Sequence, residues 1–389
     1  MSAKNAKSAV IKKHLGLYIH IPFCVHKCDY CNFVSFDNKT DEDMNTYLNA
    51  LLKEIGLRAP RFKNYKVEAI YIGGGTPSVL PDGAASIIMD AVKKHFNMNH
   101  DAEITIEVNP KSATEQKLAE YKNAGINRLS IGGQSCSDKL LRVLGRSHNA
   151  EDFKTALLTA KKYFKNINAD MMIGVPQQTL KDVKAMLKML IKNEIKHISV
   201  YSLMLEEGTP MQAKVQSGAL KEPDEDETVK MYNLAIKMLK KAGIMRYEVS
   251  NFALPGYECR HNINYWILED YLGLGLAAHS LINNVRFCNT ENFALYIKDI
   301  SHKKFPIENE ETLSLKERKE EYIMLGLRTK NGLKLDRFNK EFNCNLLLDK
   351  AKEVEMLIKN KLIVADDGFL QLCDSAFYVL NSIVQKLID

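Results

Sequence analysis

Leu17-Tyr18-Ile19-His20-Ile21-Pro22-Phe23-Cys24-Val25-His26-Lys27-Cys28-Asp29-Tyr30-Cys31 reads as a short apolar strand that runs directly into a loop bearing three thiols. Three residues separate Cys24 from Cys28 and two separate Cys28 from Cys31, a spacing that lets the three sulfurs wrap one iron-sulfur cluster. A [4Fe-4S] cube has four irons, so three protein ligands leave one iron open to a chelating amino acid group. On spacing alone, a closed zinc site completed by His20 or His26 is the alternative. A structural zinc would not need the glycine loop and polar residues that follow the later strands.

Outward from this stretch, apolar runs at 17–21, 67–72, 104–108, 128–131, 167–173 and 197–201 alternate with amphipathic patterns such as Met44, Tyr47, Leu48, Leu51, Leu52 and Ile55. Strands separated by helices pair in parallel through βαβ crossovers. The expected fold is therefore α/β, a barrel or part-barrel with function at the C-terminal ends of its strands. The conspicuous residues fall there: Cys24, Gly73-Gly74-Gly75-Thr76-Pro77, Asn109-Pro110, Gly132-Gly133-Gln134-Ser135 and Gly174-Val175-Pro176 each follow a strand. Residues 1–14 read as a flexible tail, 15–250 as the part-barrel, and 251–312 as a long irregular, pocket-covering segment with a linker. Residues 313–389 read as a smaller α+β, winged-helix-like module, in which Asp367-Gly368 between two apolar runs signals a hairpin.

The 389 residues are 46% hydrophobic and 26% charged, an ordinary globular composition with room for one large and one smaller unit. No apolar run in the polar N-terminal stretch suits a signal peptide, and the most hydrophobic later stretch, 271–282, is too short to span a membrane. Eight cysteines without a secretory signal point to the reducing cytoplasm, where clustered thiols are metal ligands more often than disulfides. The net charge of +6 comes from scattered lysines without interleaved aromatics, which argues against nucleic acid and suits an anionic ligand, an acidic membrane surface or simple solvation.

The glycine run 73–75 lets backbone groups approach a ligand with no Cβ in the way, and no Gly-Lys-Ser/Thr follows to make it a phosphate loop. Glu107, Gln134, Arg146 and Asp170 stand at or just after strand ends. Each alone is ordinarily a hydrogen-bonded structural group; together they can supply ribose, carboxylate and adenine contacts around one cofactor.

The ordered set from Tyr18 to Cys31, then Gly73 to Pro77, Glu107-Val108-Asn109-Pro110, Gly133-Gln134-Ser135, Gly145-Arg146-Ser147-His148 and Asp170 to Gly174 resembles the radical SAM family of oxygen-independent coproporphyrinogen III oxidase and the HemW-type haem chaperones. The resemblance implies a partial (β/α)6 barrel with a separate C-terminal module, a [4Fe-4S] cluster on Cys24, Cys28 and Cys31, and S-adenosylmethionine (SAM) contacts by Tyr18, Gly74, Gly75, Thr76, Glu107, Gln134, Arg146 and Asp170. Two departures stand out: Gly133 where an apolar residue is expected, and Ala277 where glycine is usual.

Two features favour the chaperone branch. The oxidase pattern carries a further cysteine two residues after the third ligand, whereas this chain has Phe33; and Tyr257 to Trp266 resembles the chaperone's His-Asn-x-x-Tyr-Trp segment. There His261 can ligate haem iron, Arg260 can meet a propionate, and Tyr265 with Trp266 can cover the macrocycle, against the plainer reading of a histidine hydrogen-bonded beside aromatics. The expectation is a cytoplasmic protein that holds cluster, SAM and haem and delivers haem to acceptor hemoproteins. The alternatives are oxidative decarboxylation of coproporphyrinogen III in porphyrin biosynthesis, and a zinc-stabilised binding protein.

Overall fold

A computed structural model describes residues 13–222 and 224–388. Its six parallel strands follow chain order: β1 (Lys13–Ile21), β2 (Tyr65–Gly74), β3 (Met98–Val108), β4 (Arg128–Gln134), β5 (Asn166–Ile173) and β6 (His197–Ser202). All six expected strands are present. Residues 1–12 of the expected tail lie outside the described residues, and Lys13 and His14 already belong to β1, paired with Tyr65 and Lys66. The helices between strands start where sequence chemistry allows it. At the helix Leu180–Lys192, Thr179 and Asp182 form a reciprocal capping box, and Val183, Met186, Leu187 and Leu190 bury one face against the sheet. Removing the Thr179 hydroxyl would cost about 1 kcal/mol.

The sheet stays open, because β1 and β6 do not pair with each other. Beyond β6 it continues antiparallel through β7 (Met245–Arg246) and β8 (Asn251–Ala253), in the spatial order β6-β8-β7. Beyond β1 it continues through β9 (Tyr271–Leu274), parallel to β1, then β10 (His279–Ile282), β11 (Val285–Asn289) and β12 (Ile307–Thr312).

Residues 251–289, expected to be irregular, thus hold four short strands and the helix Arg260–Trp266. Their brevity hides the alternation on which a strand reading depends. The Asn283-Asn284 step, with φ of 50° and 67°, forms the tight hairpin turn between β10 and β11. The polar stretch expected as linker includes β12, an exposed edge strand whose glutamates oppose edge-to-edge pairing. Glu54 fastens this extension to the barrel. Wholly buried, it accepts from Arg58 Nε (2.8 Å), Asn289 Nδ2 (2.8 Å), the Gly275 amide (2.7 Å) and Tyr296 OH (2.9 Å).

A second core gathers Tyr322, Phe338, Phe342, Leu357, Leu370 and Ile383 with Leu268 and Leu281 of the extension, so the C-terminal module packs directly on it. Its sheet runs in the order β13 (Leu333–Lys334), β15 (Phe369–Leu372), β14 (Ile363–Asp366), and Asp367 and Gly368, both at positive φ, turn the expected hairpin. Two short helices, Leu346–Asp349 and Ala351–Lys359, precede this sheet's hairpin, and a 3-10 turn, Asp374–Val379, leads into the closing helix Leu380–Ile388. Among the described residues no helix is long and apolar enough to cross a membrane.

Candidate functional site

The cysteine loop leaves β1 through an extended crossing in which Cys24 N donates to Phe36 O (2.9 Å) and Phe36 N to Pro22 O (2.8 Å). It is pinned again where Asp29 N donates to Leu144 O and Asp29 O accepts from Met211 N. The three thiols line a cavity of about 340 Å3 with Gly74, Gly75, Thr76, Glu107, Gln134, Arg146 and Asp170. Ten of the sequence-selected residues, from five different strand ends, therefore meet in one place: Cys24, Cys28 and Cys31 with the seven just named.

The glycines there serve the protein's own packing. A Cβ on Gly75 would stand 2.7 Å from Phe23 O, and Gly74, at φ +112°, lies against the His20 ring, so only glycine lets the loop after β2 cross the cysteine loop. Gly133 has an equally local cause, since a Cβ would meet the Phe153 ring at 2.1 Å.

Glu107 accepts from Tyr71 OH (2.9 Å) and the Gly74 amide (3.1 Å), and burial together with the nearby Asp170 pushes its carboxyl up to about 7. Burial raises the Asp170 carboxyl too, against the Asn168 amide that donates to it at 2.7 Å. Arg146 donates to Gly132 O (2.7 Å) and to Cys28 Sγ (3.3 Å), while its buried Nε has no partner. Gln134 is held at φ +62° with a buried, unpartnered Oε1. Two polar atoms without partners and a left-handed backbone beside three thiols mark a site shaped for something other than its own side chains.

That donor set fits a cluster better than a single ion. One zinc with bonds of about 2.3 Å draws its sulfurs together. Among the described residues no group of three His, Cys, Asp or Glu side chains is gathered closely enough to hold one metal ion. A cube asks each thiolate to meet a different iron, so its ligands stand apart. His20 is unsuited to completing a zinc set, its ring nitrogens being engaged by Tyr18 OH and Val34 O, both at 2.9 Å. Burial raises the Cys24 and Cys31 thiols, so their thiolates call for a cationic partner.

Tyr18 is the one expected SAM contact placed elsewhere. It lines a second cavity of about 480 Å3, together with Tyr265, Trp266, Leu281, His279 and Arg286, and Phe33 lines both cavities. His261 lines neither. Only 2% exposed, it stacks on Tyr71 with ring centroids 5.1 Å apart, and its Nε2 lies 2.8 Å from Tyr265 OH. Presenting that nitrogen to an iron would mean breaking this hydrogen bond and leaving the stack, so in this conformation the plainer reading describes it. Arg260 lines neither cavity and donates to Asp101 O (2.9 Å). Sequence reasoning missed Tyr71, whose signal is its register opposite Tyr18 on the neighbouring strand, and it missed His279 and Arg286, which a hairpin assignment would have put on one face.

The profile of the radical SAM superfamily matches residues 18–190, and that of the HemN C-terminal domain matches residues 313–379. The heme chaperone HemW of Lactococcus lactis is 33% identical over 97% of this chain and 98% of its own length, and that of Bacillus subtilis is 36% identical over 94% of each. The mouse mitochondrial radical S-adenosyl methionine domain-containing protein 1 is 33% identical over 96% of this chain and 87% of its own. The solved structure of Escherichia coli coproporphyrinogen III oxidase (HemN), described as a radical SAM enzyme, superposes with a TM-score of 0.85 at 23% identity, covering 97% of this chain and 91% of that one, a likeness of fold. With one thiol-lined and one aromatic cavity on that fold and chaperone relatives matching nearly its whole length, the chain belongs to the HemW family of radical SAM proteins.

Proposed function

We propose that this chain is a cytoplasmic haem chaperone that holds a [4Fe-4S] cluster on Cys24, Cys28 and Cys31, binds SAM beside it, and carries haem in the aromatic cavity for delivery to acceptor hemoproteins. The observation that carries the reading is Phe33. It lines both cavities where the oxidase pattern has a cysteine, so each is bordered there by a hydrocarbon ring rather than a thiol. The near full-length relatives named heme chaperones support the same branch.

The residues divide the work. Three thiolates hold the cluster, whose open iron can take the amino and carboxylate groups of SAM. Gly74, Gly75 and Thr76 give that ligand backbone to lie against. Gln134 Oε1 and Arg146 Nε gain the partners they lack, and Glu107 and Asp170 offer negative charge to a cationic ligand. In the second cavity Tyr265 and Trp266 provide the flat apolar surface a porphyrin requires.

Anaerobic reconstitution tests the cluster. About four irons and four sulfides per chain are expected, with loss of the chromophore on replacing any one of the three cysteines by alanine; one zinc per chain and no chromophore would refute it. SAM should alter the EPR signal of the reduced cluster. Haem titration and an oxidase assay test the branch: haem binding without conversion of coproporphyrinogen III is expected, and formation of protoporphyrinogen IX under reducing conditions with SAM would overturn the chaperone reading.

A further inference from the structure

Three histidines stand at or beside the aromatic cavity, and their surroundings differ. His261 is enclosed, stacked on Tyr71 and bound through Nε2 to Tyr265 OH, and its unpartnered Nδ1 is buried and reaches neither cavity. His20 is 5% exposed and has both ring nitrogens engaged. His279 lines the cavity, is exposed, and among the described residues its ring makes no hydrogen bond.

The hairpin explains the orientation. In the β10–β11 pair His279 lies opposite Cys288 and Leu281 opposite Arg286, so the period of two puts His279, Leu281 and Arg286 on one face. All three line the cavity that Tyr265 and Trp266 also line, whereas Cys288 does not. Arg286 is shared between Glu311 (3.3 Å) and Glu321 (2.7 Å), so the cationic wall is already largely neutralised. Attraction of carboxylates is therefore a small part of what the cavity offers. Its distinctive offering to a flat apolar metal complex is aromatic surface and one free imidazole nitrogen.

Resting on the haem-carrying reading above, we propose that His279, rather than His261, supplies the axial nitrogen to the iron of a porphyrin lying between the β10–β11 hairpin and the Tyr265–Trp266 wall. The bond formed is a dative one from the neutral imidazole to the iron, which exchanges a water ligand for it.

The test is haemin titration of the full chain, following the Soret band and the iron EPR signal, with wild type, His279→Ala, His261→Ala and Cys288→Ser, each checked for folding by circular dichroism. Wild type should show an imidazole-ligated spectrum. His279→Ala should lose it with at least a tenfold weaker affinity, and free imidazole should restore the spectrum in that variant by filling the vacated position. His279→Met should shift the spectrum rather than erase it. His261→Ala should keep the imidazole signature. An unchanged spectrum and affinity in His279→Ala overturns the proposal. So does loss of the signature in folded His261→Ala, or a thiolate-type spectrum lost in Cys288→Ser. Failure of wild type to bind haemin at all refutes the haem-carrying reading itself, a result distinct from each of these.

Discussion

Replacing Gly133 by alanine would put a methyl carbon 2.1 Å from Cζ and 2.4 Å from Cε1 and Cε2 of Phe153, a ring with no exposed surface on the helix Ala150–Tyr163. Carbon atoms rest about 3.5–4.0 Å apart, so ring and methyl must separate by more than about 1 Å inside a close-packed layer. Overpacking of this severity costs about 3 kcal/mol, the upper end of the usual range. With unfolding entropy near 2.1 cal/mol/K per residue, 389 residues give roughly 0.8 kcal/mol/K, so the melting midpoint should fall by about 4 °C. The strain is also next to the site, because Gly133 O accepts from His148 Nε2 at 3.1 Å and the next residue is Gln134. SAM affinity should therefore drop as well. The assay is a double-mutant cycle of midpoints. Phe153→Leu alone should cost about 2 kcal/mol by leaving a void, and the double variant should cost about 3 kcal/mol rather than the sum of about 5, because each change relieves the other. Costs that add to within about 0.5 kcal/mol would refute the claim that Phe153 is what forces glycine at this position.

Ala277 is held at φ +57°, a left-handed conformation that costs a non-glycine residue about 1–2 kcal/mol. After glycine's greater freedom in the unfolded chain is subtracted, Ala277→Gly should stabilise by about 0.5–1 kcal/mol and Ala277→Val should destabilise; thermal midpoints that move in the reverse order would contradict this. Because the Glu107 carboxyl is raised to about 7, its contribution to the stability of the ligand-free chain is complete below its ordinary range near 4.5 and is lost as pH rises through about 7. Midpoints measured from pH 5 to 8 should fall more in wild type than in Glu107→Gln, and SAM, a cation in its sulfonium and amino groups, should bind more tightly as pH rises through the same interval; equal pH slopes in the two proteins would count against it. Glu54→Ala leaves the Arg58 guanidinium buried without its carboxylate and should cost about 3–5 kcal/mol, with hydrogen exchange rising first in β9 to β11, the strands that Glu54 ties to the barrel.

What the sequence determined by itself was local in origin. The six parallel strands were legible because each is an apolar run bounded by turn chemistry, and Asp367-Gly368 announced its hairpin because few residue pairs accept two successive positive φ values. That ten of the selected residues would line one cavity was legible because a parallel sheet delivers every strand end to the same edge, so order along the chain becomes proximity in space. The departures at Gly133 and Ala277 were visible too, but only packing and backbone angles explain them. Tertiary structure alone decided which cavity each aromatic and histidine serves. Tyr18 and Tyr71 are register partners, yet one lines the second cavity and the other holds Glu107. His261 sits one helical turn from Tyr265, where an i, i+4 contact closes over its nitrogen. His279 gained its place from a hairpin of four- and five-residue strands, too short for alternation to show, which puts it in the lining of the cavity that Tyr265 and Trp266 share. Spacing along a chain reports which residues can share a face. Which faces then meet depends on register and packing between distant segments, and no local pattern contains that information.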